Sequence, residues 1–236
     1  MSLDASVKVK ATQVTPVVTG EGDLDFMRST KLGALYIADW RTQLLMAGLV
    51  WHADVGTVSS GADVSLIGGG GGESTINSDR PEFVIGVDAG HYLIPLDVRC
   101  CIQGDLDADA EEMNIVLFAD RTNGPVTANA SGTLETPVNM LDGGSAFPGR
   151  CWSATTSDIT DPITDQILDF VTCQASQTTA VGVLAIPIVR MHYHPRVPPI
   201  LKGPCQVVLC WGGTALLTGA AHVIVAAVPT SYFPVN

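Results

Sequence analysis

The chain reads CQVVLCWGGTALLTGAAHVIVAAVP over residues 205–229. Two apolar, β-branched runs, Cys205–Trp211 and His222–Ala227, flank a Gly-Gly-Thr turn and a small loop, and the second runs to a proline. Runs of this length with this composition read as strands. A strand with one wet face alternates apolar and polar residues, and these do not. Both faces of each strand are therefore covered, either by a second sheet or by neighbouring subunits.

Outward from this stretch, the same pattern recurs along the chain. Strands are predicted over Val7–Val18, Ala34–Ala38 continuing into Gln43–His52, Phe83–Val87, Tyr92–Ile102, Met113–Ala119, Cys151–Ala154, Ile167–Ala175 and Val181–Tyr193. For TQLLMAGLVW (42–51) one short helix is the alternative. Many short strands separated by Gly, Pro, Asn and Asp predict an all-β antiparallel sandwich or barrel. Two long connections, 56–81 and 120–149, interrupt the pattern. Loops of that length are functional surfaces or contacts that order on assembly.

Charge narrows the function classes. Twenty-four acidic residues against 12 basic give a net charge of −12. A sequence-independent nucleic-acid binder needs clustered Lys and Arg, so direct contact with a genome is not expected. No apolar run approaches the roughly 18 residues of a membrane helix. MSLDASVKVKATQ at the start lacks an apolar core, so no signal peptide is expected and synthesis in a cytoplasm is. The six cysteines are then reduced thiols, several of them small buried filler. Adjacent Cys100 and Cys101 point to opposite faces of a strand.

Four motifs could carry chemistry. GDLDADAEE (104–112) places Asp105, Asp107 and Asp109 at alternate positions, as a calcium loop begins. Ala110 and Val116 then stand where an EF-hand needs Gly and Glu, and the flanks read as strands, so an acidic connection between strands is the simpler reading. Calcium at these three aspartates is the alternative. The glycine run Gly68–Gly72 is followed by Glu73, Ser74 and Thr75, without the lysine of a P-loop, and reads as a loop tip. His192 and His194, in HYH, share one face of a strand, which is metal-ligand spacing; cupins follow such a pair with a glutamate, absent here. Otherwise these imidazoles face solvent or bond neighbouring backbone. Trp40, Trp51, Trp152 and Trp211 either stack sugars or fill the space between sheets, and the second is expected. A nucleophile elbow is absent, and no catalytic residue, cofactor motif or enzymatic activity is predicted.

The hairpin IPLDVRCCIQGDLDADAEEMNIVLFADR (94–121) and the pair PPILKGPCQVVLCWGG (198–213) with HVIVAAVP (222–229) resemble segments of bacteriophage virion structural proteins of jelly-roll type, capsid subunits or capsid-decorating proteins. The resemblance implies an extended N-terminal arm over residues 1–30 and a single jelly-roll domain over 31–236. It also implies a virion location and homo-oligomeric contacts with itself and other virion proteins. Capsid arms that hold a genome are basic. Here residues 1–30 carry Lys8, Lys10 and Arg28 against Asp4, Glu21, Asp23 and Asp25, which suits an outer-shell or decorating role. A carbohydrate-binding or adhesin-type sandwich is the second expectation, and a cupin-like metal enzyme the third.

Overall fold

The two C-terminal runs form strands that lie in opposite sheets. In the computed structural model, which describes residues 39–59, 63–65, 67–68, 76, 78–103, 110–122, 124, 132–155, 166–176, 188–213 and 217–232, the chain begins with helix α1 (Trp40–Met46). Strands follow as β1 (Val50–Val55), β2 (Thr57–Ser59), β3 (Asp63–Ser65), β4 (Ile67–Gly68), β5 (Phe83–Val87), β6 (His91–Gln103), β7 (Ala110–Asp120) and β8 (Thr133–Glu135). The remainder are β9 (Val138–Asn139), β10 (Gly149–Ser153), β11 (Gln166–Ser176), β12 (Ile188–Tyr193), β13 (Leu201–Lys202), β14 (Cys205–Gly213) and β15 (Thr218–Pro229).

All pairings among the described residues are antiparallel, as an all-β sandwich requires. One sheet runs β12-β6-β15-β1-β9, with β13 on β6 and β4 on β15; the other runs β11-β7-β14-β5-β10-β8. Strands β1, β5, β6, β7, β11, β12, β14 and β15 form a nested set. The first pairs the last (β1·β15), the second the seventh (β5·β14), the third the sixth (β6·β12) and the fourth the fifth (β7·β11). That is one long hairpin rolled up, and β6·β15 and β7·β14 close the roll. This double-sheet arrangement is the jelly roll.

The strand order corrects two expectations. The 94–121 segment is not a hairpin, because β6 and β7 belong to different sheets. The long connections 56–81 and 120–149 also contribute short strands: β2 and β3 pair with each other, β4 adds to β15, β8 to β10 and β9 to β1.

Helix α1 bears out the alternative reading of 42–51 up to Met46, and the strand expected over Gln43–His52 is kept only from Val50 onward. Asp39 caps the helix, accepting a hydrogen bond from Thr42 N at 2.9 Å. Gly48, at φ +69°, takes the left-handed turn that ends it. Gly48 N then donates to Leu45 O and Leu49 N to Leu44 O, both at 3.0 Å, which is a Schellman stop. The Asp39 cap and the Gly48 stop satisfy both ends of a two-turn helix, which the segment between them is long enough to form.

Three apolar clusters explain why the strands are apolar on both faces. The largest fills the space between the sheets and includes Trp51, Phe83, Ile85, Leu93, Ile102, Met113 and Trp211. A second lies on the outer face of the first sheet, where Val50, Ile94, Leu96, Ala226 and Val228 are covered by Leu44, Leu45, Leu49 and Tyr232. A third lies outside the second sheet, where Val84, Phe118, Val208 and Cys210 pack with Ile76 and Trp152. The extra coverage thus comes from the opposing sheet and from the chain's own helix and loops. Each such side chain withdrawn from water is worth about 1.5–3 kcal/mol before entropy is charged.

Trp51 and Trp211 are buried as expected, whereas Trp152 is half-buried and Trp40 exposed. Cys100, Cys151, Cys205 and Cys210 are buried free thiols; Cys101 and Cys173 are half-buried. Among the described residues, no helix is long and apolar enough to cross a membrane. The arm over 1–30 and the predicted strands Val7–Val18 and Ala34–Ala38 lie outside the described residues.

Candidate functional site

Polar chemistry concentrates on the outer face of the first sheet, beyond the area that α1 covers. In β12 the inward residues are Val189, Met191 and Tyr193, so Arg190 and His192 face out. In β1 Trp51, Ala53 and Val55 face in, and His52 and Asp54 face out. Cross-strand register then lines up His192, Arg99, His222 and Asp54 in one row over four strands.

Asp97 reaches this face through an irregularity. On β6, Val98, Cys100 and Ile102 point into the core, so Asp97, Arg99 and Cys101 point out. Ile94 and Leu96 also point out, into the cluster under the helix. The two series are out of phase, and the register against β15 slips there: Ile224 pairs Asp97, while Val225 pairs Pro95. The extra residue is a β-bulge, and Pro95 beside it costs little because the ladder is already interrupted.

The bulge delivers the Asp97 carboxylate to the HYH pair. His192 Nε2 stands 3.0 Å and His194 Nδ1 2.9 Å from Asp97 Oδ2, and Arg99 Nε donates to Oδ1 at 3.0 Å. Burial pushes the Asp97 carboxyl up, but the hydrogen bonds from His192 and His194 and the charge of Arg99 outweigh it, so its pKa lies below the ordinary value. Arg41 of α1 approaches His194 Nε2 at 2.9 Å and also donates to Pro195 O.

That last contact decides the chemistry. With Arg41 donating to Nε2, the proton of His194 sits on Nδ1 and points at Asp97, so both ring nitrogens are engaged within the protein. The Arg99 guanidinium already compensates the carboxylate, and Arg41 holds the ring of His194 from its other side. The expected H-x-H pair is therefore brought together on one strand face, and its job is to clamp α1 and the end of β12 to β6. Its partner is a carboxylate, where solvent or backbone was expected.

A second cluster sits two strands away. His222 Nδ1 is 2.5 Å from Asp54 Oδ1, and His52 Nδ1 is 3.3 Å from Asp54 Oδ2. A trough of about 600 Å³ adjoins it, lined by Asp54, Val55, Arg99, Arg190, His192 and His222 among others. Sequence reasoning missed this cluster. Its local signal is H-x-D in WHADV (51–55), one strand face carrying a histidine and an aspartate. The strand expected from the sequence ends at His52, which puts Asp54 in a loop.

Asp105, Asp107 and Asp109, the calcium alternative, lie outside the described residues, as do Gly69–Gly72.

No protein-family model matches the chain, and no curated protein matches it. Among solved structures, the chain is similar to one titled "Structure of infectious bursal disease virus Gt strain", at 10% identity with a TM-score of 0.17, over 91% of this chain and 45% of that one. The chain thus spans less than half the length of that match. So low a score carries nothing about fold or function; the jelly roll rests on the strand order alone.

Proposed function

We propose that this protein is a structural component of a virion, a jelly-roll subunit or a capsid-decorating protein whose work is assembly. One observation carries the reading: the roll bears exposed apolar side chains on both of its lateral sides. Along β11 and β12 these are Ile167, Phe170 and Ile188, at 57%, 63% and 53% exposure. Along β8, β9 and the turn after it they are Leu134, Val138, Met140 and Leu141, all exposed. The strand orders put β11 and β12 at one side and β8 and β9 at the other. Two unlike apolar sides on one body suit head-to-tail packing, which closes into rings or shells. The net charge of −12 favours protein neighbours over a genome. On this reading the chain has no catalytic role, and its partners are further copies and other virion proteins, reached after synthesis in the host cytoplasm.

The second reading is a carbohydrate-binding sandwich. It rests on a cleft of about 430 Å³ lined by Trp152, Phe147, Glu135 and Arg150. An aromatic wall with charged groups beside it is the chemistry that holds a sugar ring.

Light scattering behind a size-exclusion column, followed by electron microscopy of the main peak, tests the first reading. Rings, trimers or shells are the expected result. A strict monomer at high concentration rejects self-assembly, and glycan titration monitored by tryptophan fluorescence then tests the second.

A further inference from the structure

We propose that His52, Asp54 and His222 form a binding site for a divalent transition-metal ion of the zinc, nickel or cobalt class. The ligands come from the first and last strands of the roll. His52 and Asp54 alternate on the outer face of β1, and His222 is the Cα partner of Asp54 on β15. One donor atom from each lies within 4.8 Å of the other two. Two imidazoles and one carboxylate are the donor set that such ions prefer over calcium or magnesium.

The spacing fits with a small adjustment. Metal bonds of about 2.0–2.2 Å at near-tetrahedral angles put neighbouring donors roughly 3.3 Å apart. His52 Nδ1 already stands 3.3 Å from Asp54 Oδ2. His222 Nδ1, at 2.5 Å from Oδ1, has to withdraw. These two distances are to different oxygens of Asp54, so the carboxylate would face the ion with both. His222 moves by about 0.8 Å and gives up the proton on Nδ1 as the ion binds, and its side chain is 39% exposed and free to turn outward.

Two further observations point to a ligand. His52 Nδ1 is shielded from water and has no hydrogen-bond partner, an orphaned polar atom that stands 3.3 Å from the carboxylate without bonding to it. A metal bond would satisfy it. Nor, among the described residues, does a guanidinium contact this cluster as Arg41 contacts His194. Arg99 is opposite His222 in register, but its Nε is engaged by Asp97. Asp54 and His222 line the trough, from which water would complete the shell. The ion would tie β1 to β15 and so stabilise the closure of the roll by mass action.

The test uses the full chain, stripped with chelator and dialysed. Cobalt(II) titration followed by visible absorption, with zinc stoichiometry by elemental analysis, reads occupancy directly. One equivalent of ion per chain is expected, with a rise in melting temperature on zinc addition. His222→Gln and Asp54→Asn, both at exposed side chains, should each weaken zinc binding by at least about tenfold. His192→Ala and His194→Ala should leave it unchanged. Absence of stoichiometric metal overturns the site. So does binding that survives His222→Gln and Asp54→Asn, or that is lost in the His192 and His194 variants. Should His52→Ala fail to fold, the two exposed variants still decide.

Discussion

Asp97 and His194 are 97 positions apart in the chain and 2.9 Å apart in the fold, Oδ2 to Nδ1. The contact exists because a bulge turns Asp97 outward on β6 and because His194, just past the end of β12, lies on the face of His192. It joins the helix to the sheet through Arg41, which approaches the other nitrogen of the same ring.

Asp97→Asn is expected to cost about 1–2 kcal/mol at neutral pH. The loss is limited because the side chains of its donors, His192, His194 and Arg99, are 54%, 52% and 63% exposed and can turn to water. The pH dependence follows from the lowered pKa of Asp97. A carboxyl whose folded pKa lies below its unfolded one binds fewer protons when folded. Its contribution is complete above the ordinary value of 3.8 and is lost as pH falls through the folded value. Urea denaturation from pH 7 to pH 3 should show a shallower acid decline in Asp97→Asn than in the parent. Equal declines would remove Asp97 from the acid response.

Thiol reactivity should divide the cysteines into two groups. Burial raises the Cys100, Cys151, Cys205 and Cys210 thiols, that of Cys205 to about 12. A protonated, enclosed thiol is a poor nucleophile. Iodoacetamide at pH 8 should label Cys101 and Cys173 in the native protein and the other four only after denaturation, as read by peptide mass spectrometry. Prompt native labelling of Cys210 would contradict the enclosed outer cluster around Val208 and Phe118.

Glycine substitutions separate steric from conformational cost. A Cβ at Gly149 would stand 2.0 Å from Gly86 O, on backbone that holds β10 to β5. Gly149→Ala must therefore push these neighbouring strands away from each other, at about 1–3 kcal/mol or more. Gly90, at φ +103°, has open space around it, so Gly90→Ala pays backbone strain alone, about 1–2 kcal/mol. The melting temperature should fall further in Gly149→Ala than in Gly90→Ala, and the reverse order would rule out the close approach of β10 and β5.

What could be read from the chain was what local pattern encodes. The runs at Cys205–Trp211 and His222–Ala227 announced strands covered on both faces, because they carry no regular apolar–polar alternation; His222, half-exposed on the outer face, is the exception in the second run. The one-face placement of His192 and His194 followed from the two-residue period of a strand. Pairing did not follow, since β6 and β7 are neighbours in the chain and strangers in the sheets. The Asp97 clamp was hidden for the same reason and for another: a bulge changes which residues share a face, and YLIPLDVR gives no sign of it beyond Pro95. The helix stood only as an alternative to a strand, since seven residues between Asp39 and Ala47 are too few for a helical period to stand out. Asp54 was hidden because the apolar run thins out after Trp51, three residues before β1 ends at Val55.

The two apolar sides of the roll can be tested one at a time. Phe170 is 63% exposed on β11, so Phe170→Lys removes little from the folded monomer, within about 0.5 kcal/mol. Leu134, 58% exposed on β8 at the opposite side, is equally dispensable to the monomer. In a head-to-tail assembly each copy offers one side and accepts the other. Phe170→Lys or Leu134→Lys alone should then abolish closed rings or shells. A mixture of the two variants retains one intact interface per unlike pair and should yield dimers that grow no further, seen as a discrete peak by light scattering. Were the contact self-complementary instead, one variant would still assemble like the parent, because only one of the two sides would be in use.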